Sequence, residues 1–125
     1  MVVRISSIAL RIAVLLELVL GVSLWIRHPL APVLLHMALG LLIVALVWFL
    51  GLAQATVKGG SLGLTFATFG VGLTLAILGL VQKAVPGQPT LQVIHVLLAL
   101  ATIAVGEMAT ARYWRGKKAL VPAVS

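Results

Sequence analysis

His36, His95 and Glu17 are the residues of this chain whose side chains could do chemistry within an otherwise apolar setting. Imidazoles ligate metals and relay protons, and carboxylates exchange protons or pair with cations. A third histidine, His28, stands between Arg27 and Pro29, and a second acid, Glu107, lies near the C-terminus. There is no cysteine, which excludes disulfides, iron–sulfur clusters and thiolate zinc sites. What remains open depends on whether the fold brings the two apolar-run histidines together.

The 125 residues are 62% hydrophobic and only 9% charged. A soluble domain carries roughly 25% charged residues, so this composition does not cover a water-facing surface. No Asp, Glu, Lys or Arg occurs between Arg27 and Lys58, from Gly59 to Gln82, or from Ala84 to Gly106. A bilayer needs about 20 apolar residues per crossing helix. The pattern predicts helices over about 6–26, 32–53, 61–82 and 89–111. Turn signals agree: Arg27-His28-Pro29 with Pro32, then Lys58-Gly59-Gly60-Ser61, then Pro86-Gly87-Gln88-Pro89. Short connections make successive helices antiparallel neighbours. The expected fold is an all-α membrane protein, one antiparallel up-down four-helix transmembrane bundle over residues 1–125. The first run reads as a retained helix, because Arg11 and Glu17 interrupt it and no small-x-small cleavage pattern precedes Arg27.

Charge gives orientation. Arg4, Arg11, Lys58, Arg112, Arg115, Lys117 and Lys118 fall on one side, against Arg27 and Lys83 on the other. The positive-inside rule then puts both termini in the cytoplasm, with a bacterial inner membrane as the expected location. The net charge of +7 reads as contact with anionic lipid headgroups, and no nucleic-acid partner is expected.

With that topology the second and fourth helices run parallel. His36 and His95 each lie about one turn inside the outer boundary, roughly 6–9 Å deep at 1.5 Å per residue. Two imidazoles at matched depth on facing helices are what a bis-histidine haem needs, since iron takes axial ligands from opposite porphyrin faces. A flat macrocycle also needs small neighbours. The face below His95 reads Ala99, Thr102, Gly106, Ala109; Gly40 lies one turn below His36; Gly21 falls at the same depth on the first helix. The third helix offers Gly72, Ala76 and Gly79. Arg27 and Lys83, the cations on the histidine side, suit propionate carboxylates. The expected cofactor is one haem b per chain, with His36 and His95 as the iron ligands.

Blander readings compete. Glycine and alanine let membrane helices pack closely, and a buried histidine can simply hydrogen-bond a carbonyl. Gly63, Ala67 and Gly70 form a second small face on the third helix, suited to a neighbouring helix or a homodimer contact. Arg11 and Glu107 come out at similar depth and are expected to pair. Glu17 is expected protonated in its apolar surroundings, with proton coupling to an adjacent haem as the alternative. His28 reads as an interfacial loop residue.

The paired His36 and His95, with their small-residue faces, resemble small bacterial four-helix membrane b-type cytochromes. The resemblance implies electron transfer with a quinone or another membrane redox protein, and an electron carrier more than an enzyme with its own substrate. The chain departs from two-haem members, because no second histidine pair lies near the cytoplasmic side. Glu17 within Leu15-Leu16-Glu17-Leu18-Val19-Leu20-Gly21 also resembles the first helix of small multidrug-resistance exporters, which exchange protons for cationic drugs. Few aromatics are available for the substrate face of such an exporter, and the histidine pair has no role in it. A non-catalytic accessory membrane subunit is the third reading.

Overall fold

The computed structural model describes residues 1–119; residues 120–125 of the expected 1–125 domain lie outside them. Four helices follow in order: α1 (Val2–Trp25), α2 (Val33–Ala55), α3 (Leu62–Ala84) and α4 (Pro89–Lys118). Each is long and apolar enough to cross a membrane, and the chain is a multi-pass membrane protein. No strand occurs among the described residues. The apolar cores of the crossings match the expected spans, but α1 starts near the N-terminus and α4 runs to Lys118. The reason is physical. Hydropathy marks the hydrocarbon crossing, whereas backbone hydrogen bonding carries a helix on into the headgroup region. Arg115, Lys117 and Lys118 then sit in the last turn of α4, where cations offset the helix dipole.

The connections are short and locally specified. Arg27 takes a left-handed φ of 59°, turning the chain out of α1, and Gly87 at φ 79° does the same between α3 and α4. Ser61 caps α3 by accepting from the Leu64 amide at 3.2 Å. Pro89 opens α4, where its missing N–H costs nothing.

Helix α2 packs against all three others, as does α4, while α1 and α3 do not touch. The bundle is thus a flattened diamond with α2 and α4 on its short diagonal. Leu10, Ala13 and Val14 of α1 meet Ile43, Val47 and Leu50 of α2 and Ala109 of α4 in its core. Gly106 lets Leu10 lie against α4, since a Cβ there would come within 2.5 Å of the Leu10 Cδ2. Thr102 and Thr110 return their hydroxyl protons to the carbonyls of Leu98 and Gly106, so neither leaves a bare donor at membrane depth.

The α2–α3 turn is held by Gln54, which is fully buried. Its side-chain oxygen accepts from the Ser61 amide at 3.0 Å. Its amide nitrogen lies within 2.8–3.0 Å of the Gly51 carbonyl, the Ser61 carbonyl and the Thr65 hydroxyl. Trp48 stacks on Phe69 at 4.9 Å and closes the same seam higher up. Gly63, Ala67 and Gly70 face outward from the bundle.

Arg11 and Glu107 form a bidentate pair across the α1–α4 seam, Nε to Oε1 at 2.7 Å and Nη2 to Oε2 at 2.6 Å. Both lie on the outer surface of the bundle, where lipid would otherwise meet an unpaired charge. Glu107→Gln alone is therefore expected to lower the thermal unfolding midpoint in detergent by more than Arg11→Gln with Glu107→Gln together. A double variant less stable than the single one would contradict this.

Candidate functional site

His36 stands one turn into α2, and His95 stands two turns into α4, both at the end of the bundle away from the termini. The parallel run of these diagonal helices brings them together. Their ring centres are 6.4 Å apart, with the planes tilted by 49°. Both rings border a cavity of about 530 Å³ in this half of the bundle. That volume falls within the roughly 300–1,000 Å³ typical of small-molecule and cofactor sites. Side chains and backbone from all four helices line it, apolar for the most part.

Each helical hairpin contributes the same pairing. Gly21 of α1 faces His36, and Gly79 of α3 faces His95; a Cβ at either glycine would stand 3.4 Å from the Cε1 of the facing imidazole. The glycines thus seat the imidazoles, a more specific role than clearing general room. Gly40 and Ala99 occupy the next turn below the two histidines. Gly40 makes space for a carboxylate: a Cβ there would lie 3.1 Å from Glu17 Oε1. The position in α3 that corresponds to Glu17, one turn before the glycine, is the buried Leu75. The two halves of the site therefore differ in charge.

Glu17 is buried, and its Oε1 lies 3.1 Å from His36 Nδ1. The approach is not aligned as a hydrogen bond, and the Nδ1 atoms of both histidines are buried without a partner. Glu17 Oε2 is likewise unpartnered. Buried polar atoms without partners are uncommon in native proteins. Glu17 lies one turn below Gly21 on α1, and its side chain approaches His36 over Gly40. The usable signal was the Glu17–Gly21 spacing, which puts both on the α1 face turned to His36.

Of the residues expected at the site, His36, His95, Gly21, Gly40, Ala76, Gly79, Ala99 and Lys83 line the cavity. Gly72, Thr102 and Arg27 do not. Gly72 lies about two turns below Gly79, where the bundle has narrowed; a Cβ there would come within 2.6 Å of the Trp48 indole nitrogen. It serves the α2–α3 seam. Thr102 is fully buried with its hydroxyl bonded to the Leu98 carbonyl. Arg27 is exposed in the α1–α2 turn, set there by its left-handed backbone. His28 is exposed in the same turn. Cavity residues that sequence reasoning missed include Gln82, Gln88 and Gln92 at the outer rim, of which Gln82 donates to the Leu91 carbonyl at 2.7 Å.

Comparison with protein-family models, with curated proteins and with solved structures finds no match for this chain. The site stands on its own geometry.

The donor set can be tested against a metal. No group of three or more His, Asp or Glu suited to a metal ion occurs among the described residues, so a protein-only metal cage is not formed. Two imidazoles alone satisfy an ion only when a further ligand, such as a macrocycle, supplies the rest. Metal–imidazole bonds of about 2 Å on each side, with about 1 Å from each nitrogen to its ring centre, span about 6 Å between ring centres. The observed 6.4 Å fits that span. In spacing, the two imidazoles fit a bis-histidine haem.

Proposed function

We propose that this protein is a membrane b-type cytochrome that binds one haem between His36 and His95 and carries electrons to or from a quinone or another membrane redox protein. The observation that carries this reading is the pair of imidazoles 6.4 Å apart on parallel helices, beside a cavity of about 530 Å³. Two further observations support it. Each ring packs against a glycine, Gly21 or Gly79, and the small residues Gly40 and Ala99 lie one turn below the two histidines. The chain belongs, on this reading, in a bacterial inner membrane with both termini cytoplasmic, as its Lys and Arg distribution favours.

Haem supplies one-electron chemistry when bound, and the protein sets its conditions. His36 and His95 would hold the haem iron between them, which favours electron transfer over oxygen chemistry. The lining, apolar for the most part, would weaken the stabilisation of charge added to the haem. Lys83 at the rim offers a cation to a propionate carboxylate. Glu17 holds its carboxyl group beside the ring of His36 alone, so the two imidazoles would be electronically unequal as ligands.

The test uses the full chain expressed with haem supplied and reconstituted into vesicles. Anaerobic addition of a menaquinol or ubiquinol analogue is expected to produce the sharp reduced spectrum of a low-spin b-type haem. Protein that takes up no haem overturns the reading. Haem uptake without reduction by either quinol removes the quinone as partner. A second reading rests on Glu17, whose Oε2 is buried in the same cavity without a partner. It makes the chain a proton-coupled exporter of cationic compounds, and it requires drug resistance that Glu17→Gln abolishes.

A further inference from the structure

At the opposite end of the bundle from the histidines, the α2–α3 turn is seated directly on α4. Arg112 Nε donates to the Gly59 carbonyl at 2.7 Å, and Gly59 takes a left-handed φ of 77° to present it. Gly116 permits the contact: a Cβ there would come within 2.5 Å of the Lys58 carbonyl oxygen and 2.9 Å of the Val57 Cβ. Between turn and helix lies a second cavity, of about 240 Å³, bordered by Lys58, Arg112 and Arg115. Arg112 spends Nε on the turn, which leaves its terminal guanidinium nitrogens for another acceptor.

Nothing in the sequence neutralises this cluster with a carboxylate side chain. The chain has only two acids. Glu107 is taken by Arg11, and Glu17 lies beside His36 in the other half of the bundle. The C-terminal end of α4 points its negative dipole here, but that is worth only about half a charge against three cations. No carboxylate among the described residues pairs with these three cations. Arginine and lysine around one small cavity suit a phosphate group, which accepts several charge-assisted bonds at once. Trp114 and Tyr113, packed edge to face with ring centres 5.3 Å apart, lie on the same turn of α4, and such aromatics belong at the headgroup level of a bilayer.

We propose that Lys58, Arg112 and Arg115 form a binding site for the phosphate of an anionic lipid headgroup, such as phosphatidylglycerol. This site is independent of what the histidines hold. It also differs from a general attraction of the +7 chain to anionic membranes, because it assigns the binding to one cavity.

The test is native mass spectrometry of the full chain from detergent, offered phosphatidylglycerol and phosphatidylcholine in equal amounts. Wild type is expected to keep phosphatidylglycerol with about a tenfold preference, in line with the attraction per basic residue at anionic surfaces. Lys58→Gln with Arg115→Gln should reduce the preference to near parity. Both substitutions leave the Arg112–Gly59 bond in place, and unchanged helical circular dichroism verifies the fold. Lys117→Gln with Lys118→Gln removes the same charge outside the cavity and should keep the preference. Equal loss in both double variants would overturn the site in favour of diffuse charge. Displacement of the lipid by millimolar inorganic phosphate would overturn the lipid as its source.

Discussion

Replacing either His36 or His95 with alanine is expected to abolish stable haem binding, whereas His28→Ala leaves it unchanged. Losing an axial ligand should cost more than the roughly 10–100-fold that loss of an outer-shell partner costs at a metal site. The readout is the haem that co-purifies with each variant and its spin state. The alanine variants have a further expected behaviour. Each leaves a space against Gly21 or Gly79 the size of an imidazole, so added imidazole should enter and restore a low-spin spectrum. Either alanine variant keeping the wild-type spectrum without imidazole would remove that residue from the ligand set. His28 is the proper control because it is exposed in the α1–α2 turn, outside the cavity.

The second large effect is on stability. Gln54→Ala strips the Ser61 amide of its acceptor and the Ser61 carbonyl and Thr65 hydroxyl of a donor. Gln54 itself is fully buried, so truncation also leaves a void at the base of the α2–α3 turn. Unsatisfied buried groups cost about 1–3 kcal/mol each, and a combined loss of about 2–4 kcal/mol is expected once Thr65 keeps its own bond to the Gly51 carbonyl. Unfolding in mixed detergent measures it. Gln54→Glu is a useful companion, because it retains the acceptor for the Ser61 amide and loses the donors. It should fall below wild type as well, since a carboxylate would face the Gly51 and Ser61 carbonyls. A Gln54→Ala variant as stable as wild type would show that the turn is held by the Ser61 cap and the Trp48–Phe69 stack instead.

Sequence patterning made part of this structure legible and left part hidden, for identifiable reasons. The four crossings follow from charge-free runs, because hydrocarbon tolerates few charges and demands a hydrogen-bonded backbone. The same logic exposed the Arg11–Glu107 pair: two opposite charges at one depth have strong cause to meet. The closeness of His36 and His95 followed from topology, since parallel helices put residues near their starts on one level. Hydropathy could not reveal the diamond cross-section, in which α2 and α4 meet and α1 and α3 stay apart. Without it, one small-residue face of α3 looked uniform. The structure divides it: Ala76 and Gly79 border the cavity, and Gly72 receives Trp48. The side of the membrane on which Arg27 lies does not set its direction, which follows from its left-handed backbone in the α1–α2 turn. Gln54 gave no signal, because a single amide near a helix end reads as surface until its partners are known. Glu17 was noticed as a buried acid, but its contact with His36 depends on a side chain reaching past Gly40.

The unequal halves of the site also sharpen the account. The two hairpins repeat a glycine-against-histidine pairing, and Glu17 opposite Leu75 breaks the repeat. One imidazole of the pair has the Glu17 carboxyl group beside it, and the other has Leu75 at the corresponding position.

The central claim is that both histidines hold one iron. Near-infrared magnetic circular dichroism of the ferric wild-type protein, with haem counted per chain, tests it most directly. One haem per chain and the charge-transfer band of bis-imidazole ligation are expected. A colourless protein from haem-replete expression, or a high-spin spectrum with a single nitrogen ligand, would contradict it.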